Sequence, residues 1–174
     1  MSRIGRSFFL ADAVTVAGLL PGMDLVIGTG EQTGKYRITE TEAYLGEDDR
    51  ACHASRGRTP RTEPMYMPGG HLYIYFVYGM HWMLNVVTGP ADYPQAVLIR
   101  GVSQYPGPGR LTRGLGIDGS FNHEDLVSSA RVWIEENGCR PEVITGPRVG
   151  IDYAGEPWIS KPWRFMIRNE KGKK

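Results

Sequence analysis

HLYIYFVYGMHWMLN, residues 71–85, is the stretch on which the fold of this chain turns. Its first half alternates as a β-strand does, the chain reverses near Gly79, and a second run resumes with His81, Trp82 and Asn85. His71–Tyr78 and Trp82–Thr88 therefore predict a β-hairpin. On its first strand Leu72, Ile74 and Phe76 share one face, which predicts inward packing, and Tyr73 and Tyr75 share the other. The tyrosine face is harder to place. Each buried phenol needs a hydrogen-bond partner, whereas a water-facing strand rarely shows so much ring area. Two readings stay open: a thick core wall with polar handles, or a surface built to receive something flat.

The rest of the chain narrows the choice. Its 174 residues, 41% hydrophobic and 22% charged, suit one soluble domain with a real core. The 23 Gly and 12 Pro predict many turns and short elements. No run approaches the roughly 18–20 apolar residues of a membrane span, and Asp12 interrupts the apolar start, so no signal peptide is expected. Cys52 and Cys139 form neither a disulfide framework nor a zinc motif, which fits a reducing compartment. A net charge of +1 argues against a simple electrostatic nucleic-acid binder. The distribution is more telling: Arg50, Arg56, Arg58 and Arg61 surround His53, with no acid from Ala51 to Thr62. Arginine, whose flat fork suits phosphate, greatly outnumbers lysine.

Asp12 predicts a cap for a helix running to Leu20, which Pro21-Gly22 ends. MDLVIG, YRITETEAY, AVLIRGV, VITGPRVGI and WRFMIR read as strands. Glu47, Asp48 and Asp49 predict the start of a short helix towards His53. Residues 54–70 form a long loop of the kind that often carries function. PGPGRLTRGLGI leads into a short helix, and Phe121–Ala130 predicts another, capped by Asn122. No repeat or composition break divides the chain. The fold class is α+β: one domain over 1–174, a curved antiparallel or mixed sheet flanked by short helices, with flexible ends at 1–10 and 169–174.

The chemistry starts at ETEAY, where alternation puts Glu40, Glu42 and Tyr44 on one face. Two carboxylates there repel unless one is paired, protonated or wanted at a site. The four histidines lack metal-ligand spacing, and no phosphate-binding loop, dinucleotide fingerprint or GxSxG turn occurs. Carboxylate, histidine, arginine and tyrosine remain. That set suits water activation beside a developing cation, with flat rings to hold a planar group.

ITETEAYLGEDDRACHASRGRTPR, MYMPGGHLYIYFVYGMHWMLNVV and AVLIRGV closely resemble the alkyladenine (3-methyladenine) DNA glycosylase family, and PRVGIDYAG with KPWRFMIR resembles the close of its domain. The likeness runs from about Ala13 to Arg168. The resemblance implies that Glu42 activates the attacking water and that Arg100 helps to hold it. It implies that Tyr44, His53 and Tyr75 sandwich a flipped base, and that Asn85 opposes the 2-amino group of guanine. Tyr78 matches the wedge that fills the gap in the duplex from the minor groove, with Met80 beside it at the hairpin tip. Arg56, Arg58 and Arg61 are then expected on the DNA backbone.

The activity implied is that of a monofunctional glycosylase. It flips 3-methyladenine, 7-methylguanine, hypoxanthine or ethenoadenine from duplex DNA and hydrolyses the N-glycosidic bond, leaving an abasic site for base excision repair. No metal, cofactor or membrane is implied, and a monomer in a bacterial cytoplasm, at the nucleoid, is expected. Cys52 stands where the family often has alanine, which fits a buried side chain. From another class comes a non-catalytic reader of damaged bases, whose natural signature, loss of the carboxylate at 42, is absent. An enzyme of RNA or free nucleosides would have no stack for Tyr78 to fill.

Overall fold

QTGKYRITETEAYL forms the strand around which the sheet is built, and a computed structural model describes residues 2–29 and 32–168. This strand, β3 (Gln32–Leu45), follows β1 (Ser2–Arg3), α1 (Arg6–Phe9), α2 (Ala13–Leu19) and β2 (Asp24–Thr29). Next come the hairpin β4 (Leu72–Val77) and β5 (His81–Val87), β6 (Gln95–Val102), β7 (Tyr105–Pro106) and α3 (Pro108–Leu115). The chain closes with β8 (Val132–Glu136), β9 (Val143–Gly146) and β10 (Arg164–Ile167). These strands form one open sheet whose main path runs β1-β8-β2-β3-β6-β5-β4, and every pairing is antiparallel. The first half of β3 pairs with β2 and the second half with β6, with register shifts between Ile38 and Thr41. Such irregularity re-aims side chains, and it sits immediately before Glu42.

Register decides which residues enter the core. Ala43, Val97, Val86 and Leu72 stand opposite one another across β3, β6, β5 and β4, and all four are buried on one face. Helix α2 covers this face with Val16 and Ala17, joined by its C-cap residue Leu20, and α3 with Leu111 and Leu115. Asp12 caps α2 as expected, accepting from Thr15 N at 3.0 Å.

Several expectations are corrected. Residues 2–10 are not a loose end: β1 pairs with β8, and Ile4 and Phe9 are buried in the core. The end at 169–174 lies outside the described residues. The helix expected over Phe121–Ala130 is absent, and a short 3-10 turn, Gly119–Phe121, leads into irregular chain. Its polar side chains bond elsewhere: Asn122 Oδ1 accepts from Ile74 N, Asp125 Oδ1 from Val127 N, and Ser129 Oγ from Val132 N. Such bonds compete with a helix, and His123 has a positive φ of 69°. The segment instead covers the free edge of β4, through Leu72 N to Glu124 O and His123 N to Leu72 O. Strand β8 is not anticipated by the sequence pattern. The acids at 47–49 start no helix, and the 3-10 turn His53–Arg56 follows them. Leu72 and Ile74 are buried as expected, but Phe76 is 45% exposed and rests on Trp82 with ring centroids 4.7 Å apart.

Candidate active site

The face of the sheet opposite the core carries most of the polar and aromatic residues that the sequence singles out. Glu42, Leu98, Asn85 and Tyr73 lie opposite one another across β3, β6, β5 and β4. Directly opposed residues of antiparallel strands share a face. Two residues along in one direction are Tyr44, Ala96 and Val87; in the other are Arg100, Met83 and Tyr75. Two loops fold over this face, one from Ala51 to Met65 and one from Arg148 to Tyr153. They enclose a cavity of about 550 Å³ walled by Tyr44, His53, Tyr75, Asn85, Arg100 and Tyr153. That size is ordinary for a small-molecule site.

Of the two readings of the ring-rich strand, Tyr73 satisfies the first. It is buried, and its hydroxyl meets His53 Nδ1 at 2.8 Å. Tyr75 satisfies the second: it walls the cavity, with its ring centroid 4.4 Å from that of His53. Burial, then the charges of Arg61 and Arg56, pull the His53 imidazole down to about 4. The ring is therefore neutral at pH 7. Asn85, nearly inaccessible, is held by a hydrogen bond from Nδ2 to Tyr73 O at 3.1 Å. Cys52 is buried beside this wall, as its small-residue position required.

Glu42 has 0% exposure and does not itself line the cavity; it sits behind Tyr44, Arg100 and Val149, which do. Its Oε1 accepts from Val149 N at 2.7 Å and lies 3.5 Å from Arg100 Nε, while Oε2 accepts from the Tyr44 hydroxyl at 2.8 Å. Burial pushes the carboxyl above the ordinary glutamate range and Glu40 adds to the rise, while Arg100, Val149 N–H and Tyr44 oppose it. The repulsion read from ETEAY is answered at Glu40, which accepts from Arg100 Nε at 2.9 Å and Arg164 Nε at 2.6 Å. Arg100 is thus held closer to Glu40 than to Glu42.

Tyr78 stands at the cavity rim and is 88% exposed. It has φ of 53° and is followed by Gly79 at 63°. Positive φ at both central positions is the pattern of a tight hairpin turn that normally selects Asn-Gly. A bulky residue in left-handed backbone is a genuine outlier, and such strain clusters at functional sites. Met80, 66% exposed, lies outside the cavity, in a shallow groove with His81, Trp82 and Arg113.

The arginines separate. Arg61 reaches the cavity, 5.6 Å from the Tyr75 ring centroid. Arg56 lines an adjoining groove and has no ion pair among the described residues. Arg58 grips Glu63 with two bonds of 2.8 and 2.6 Å and Asp92 with one of 2.9 Å.

A family model described as methylpurine-DNA glycosylase matches residues 7–106 and 103–171. The chain belongs to the methylpurine-DNA glycosylase family. A relative from Psychrobacter cryohalolentis is 45% identical over 93% of this chain and 89% of its own length. One from Borrelia garinii is 42% identical over 95% and 96%, and one from Myxococcus xanthus 41% identical over 98% and 93%. Each has 3-methyladenine DNA glycosylase in its name. The chain is accordingly a DNA glycosylase, a hydrolase of the N-glycosidic bond whose substrate is DNA.

Sequence reading missed three contributors to the cavity and to the surroundings of Glu42. Arg148 is wholly buried and pairs with Asp49 at 2.6 Å. The backbone N–H of Val149 supplies the shortest bond to Glu42, and Tyr153 walls the cavity mouth. PRVGIDYAG held all three, but nothing in its local pattern says that it returns to ETEAY.

Proposed function

We propose that this glycosylase is monofunctional: it flips damaged purines out of duplex DNA, hydrolyses the bond to the base and leaves an abasic site. The observation that carries this reading is a buried carboxylate bonded to Tyr44 and Val149 in the wall of a ring-lined cavity, with an exposed, strained tyrosine on the rim. Tyr44 faces one side of the flipped base, His53 and Tyr75 the other, and Tyr78 fills the vacated stack, lowering a flipping cost of a few kcal/mol. Ionised Glu42 takes a proton from water and stabilises the positive sugar as the bond breaks. Arg100 helps to hold that water. A purine alkylated at N3 or N7 leaves as a cation made neutral, and electron-rich rings favour its charge beforehand. Neutral hypoxanthine and ethenoadenine need a proton on the leaving base, so their release leans more on the pocket. Met80 follows Tyr78 into the minor groove, and the protein works as a monomer at the bacterial nucleoid.

One observation favours the rival reading of a non-catalytic reader. Both oxygens of Glu42 already accept hydrogen bonds, and neither is exposed. A carboxylate has about four lone-pair sites, however, so each oxygen retains a lone pair with which to accept from a water. Incubating the protein with duplexes that each carry one of the four lesions, and measuring free base, separates the readings.

Release of 7-methylguanine, which needs no acid, isolates the base. Glu42 must be ionised, so the rate falls as pH drops through its raised pKa. The acid limb is expected above the ordinary glutamate value of about 4.3. Because His53 stays neutral down to about 4, no inflection near 6.5 is expected. A single-turnover rate profile from pH 4 to 8 checks both. His53 also makes a linkage contribution: its folded value lies below its unfolded one, so that stability is present above about 6.5 and is lost as pH falls towards 4.

Asn85→Ser should loosen discrimination, because the shorter side chain opens room for the guanine 2-amino group. Release of normal guanine should rise relative to hypoxanthine; an unchanged ratio assigns Asn85 to holding Tyr73 alone. Backbone contact is expected from Arg56 and Arg61 and much less from Arg58, whose charge is already answered by Glu63 and Asp92. Arg56→Ala should reduce the slope of log affinity against log salt by about 1, on lesion and plain duplex alike. Arg58→Ala should change that slope less. Equal slopes for Arg56→Ala and wild type would remove Arg56 from the interface.

A further inference from the structure

Behind the wall formed by Tyr44 runs an alternating series of rings and cations. The Arg148 guanidinium lies 4.9 Å from the Tyr44 ring centroid and 5.0 Å from that of Trp163. Lys161 continues the series, 5.1 Å from the Trp163 ring and 5.7 Å from that of Trp158. Arg148 is fixed by two bonds to Asp49 (2.6 and 2.9 Å) and one to Ala43 O (3.0 Å), which lies between Glu42 and Tyr44. Its Nε alone has no partner. The next residue, Val149, gives its N–H to Glu42. One buried cation is therefore tied to the backbone between the two site residues, to the ring of one, and by a single peptide step to the carboxylate of the other.

We infer that Arg148 is a positioning residue for the glycosylase reaction, holding the Tyr44 ring flat for the base and setting the Val149 N–H against Glu42. The inference rests on the roles proposed for Glu42 and Tyr44. Its logic is geometric. A guanidinium is planar and can stack on two rings while its edge bonds a carboxylate bidentately; an ammonium cannot do all three. Were the site merely structural, any well-packed cation near Asp49 would serve.

The test compares Arg148→Lys, which keeps the charge near Asp49, with Trp163→Leu, which removes only the outer ring. Single-turnover release per folded molecule, its pH profile, lesion affinity and melting temperature are measured together. Arg148→Lys should release base roughly ten- to a hundredfold more slowly, since misplacement by about 1 Å costs that much, and should bind lesion duplex several-fold more weakly. The acid limb should move to higher pH, because a weakened Val149 bond removes an influence that holds the Glu42 pKa down. Tyr44 on β3 acts in the same direction, since its hydroxyl bond also holds the Glu42 pKa down and weakens if its ring moves. The other groups facing Glu42 are not touched by the substitution: Glu40 on β3, Arg100 on β6, Tyr75 on β4, and Arg164 on β10 through Glu40. Trp163→Leu should shift each readout the same way by less, and it decides the matter if Arg148→Lys does not fold. A lowered melting temperature with unchanged rate, limb and affinity would overturn the inference. Glu42→Gln run alongside keeps the failures apart. If it releases base as wild type does, the reading of Glu42 is what fails, and the Arg148 inference then stands or falls on lesion affinity through Tyr44.

Discussion

Glu42→Gln is expected to cut base release by at least about two to four powers of ten, while affinity for lesion DNA stays within several-fold of wild type. The structure explains why this change is clean. Glutamine can leave its oxygen on Val149 N–H and turn its amide to the Tyr44 hydroxyl, which accepts as readily as it donates. Shape and both contacts survive, while the basic oxygen and the negative charge beside the sugar are lost. Loss of charge stabilisation adds to loss of the base. Tyr78→Ala should do the opposite, weakening capture of the flipped base while Glu42 is untouched. The check is single-turnover release alongside equilibrium binding, on one hypoxanthine and one ethenoadenine duplex. Near-normal release by folded Glu42→Gln points to another base. Glu40 is the first candidate, although it is already engaged by Arg100 and Arg164.

The second large effect is on stability. Asp49→Asn should cost about 3–5 kcal/mol, the usual result of leaving a buried ion without its partner. Asp49 and Arg148 are both inaccessible to water. Each oxygen of Asp49 faces two donors: Oδ1 meets Arg148 Nη2 and Ala51 N, and Oδ2 meets Arg148 Nη1 and Leu45 N. An asparagine amide, whichever way it turns, sets an NH₂ against two of them. For a chain of this size the cost corresponds to a fall in melting temperature of about 6–20 °C. Thermal unfolding at pH 7 measures it. A fall of under about 2 °C would mean that the 148–151 segment is held by something else.

How far the sequence carries depends on the reach of each interaction. Period-two alternation is local, so ETEAY put Glu40, Glu42 and Tyr44 on one face, and the same rule split Tyr73 and Tyr75 from Leu72 and Ile74. The hairpin turn was legible from Gly79, but the left-handed backbone of Tyr78 was not, since nothing local warns that a bulky residue takes a position suited to asparagine. Phe76 fell outside the pattern because alternation says which face a residue takes and not how far the core extends beneath it. Asp49 and Arg148 stand 99 residues apart, and each alone looks like a surface charge. The helix expected over 121–130 failed for a related reason. Its polar residues satisfy partners on β4 and at Arg6 and Arg131, which a local reading cannot see. Family resemblance supplied the roles; the register of β3, β6, β5 and β4 supplies the reason that those residues meet.

On the function proposed for it, this fold converts a flipped damaged purine into free base and an abasic site. The most direct test is to incubate the protein with an end-labelled duplex carrying one hypoxanthine, then treat with hot alkali and resolve the strands. Cleavage at the lesion position is expected only after alkali, with a matching yield of free hypoxanthine and neither product with Glu42→Gln. Tight lesion-specific binding with the strand intact after alkali would contradict it, and would make the protein a reader of damage instead.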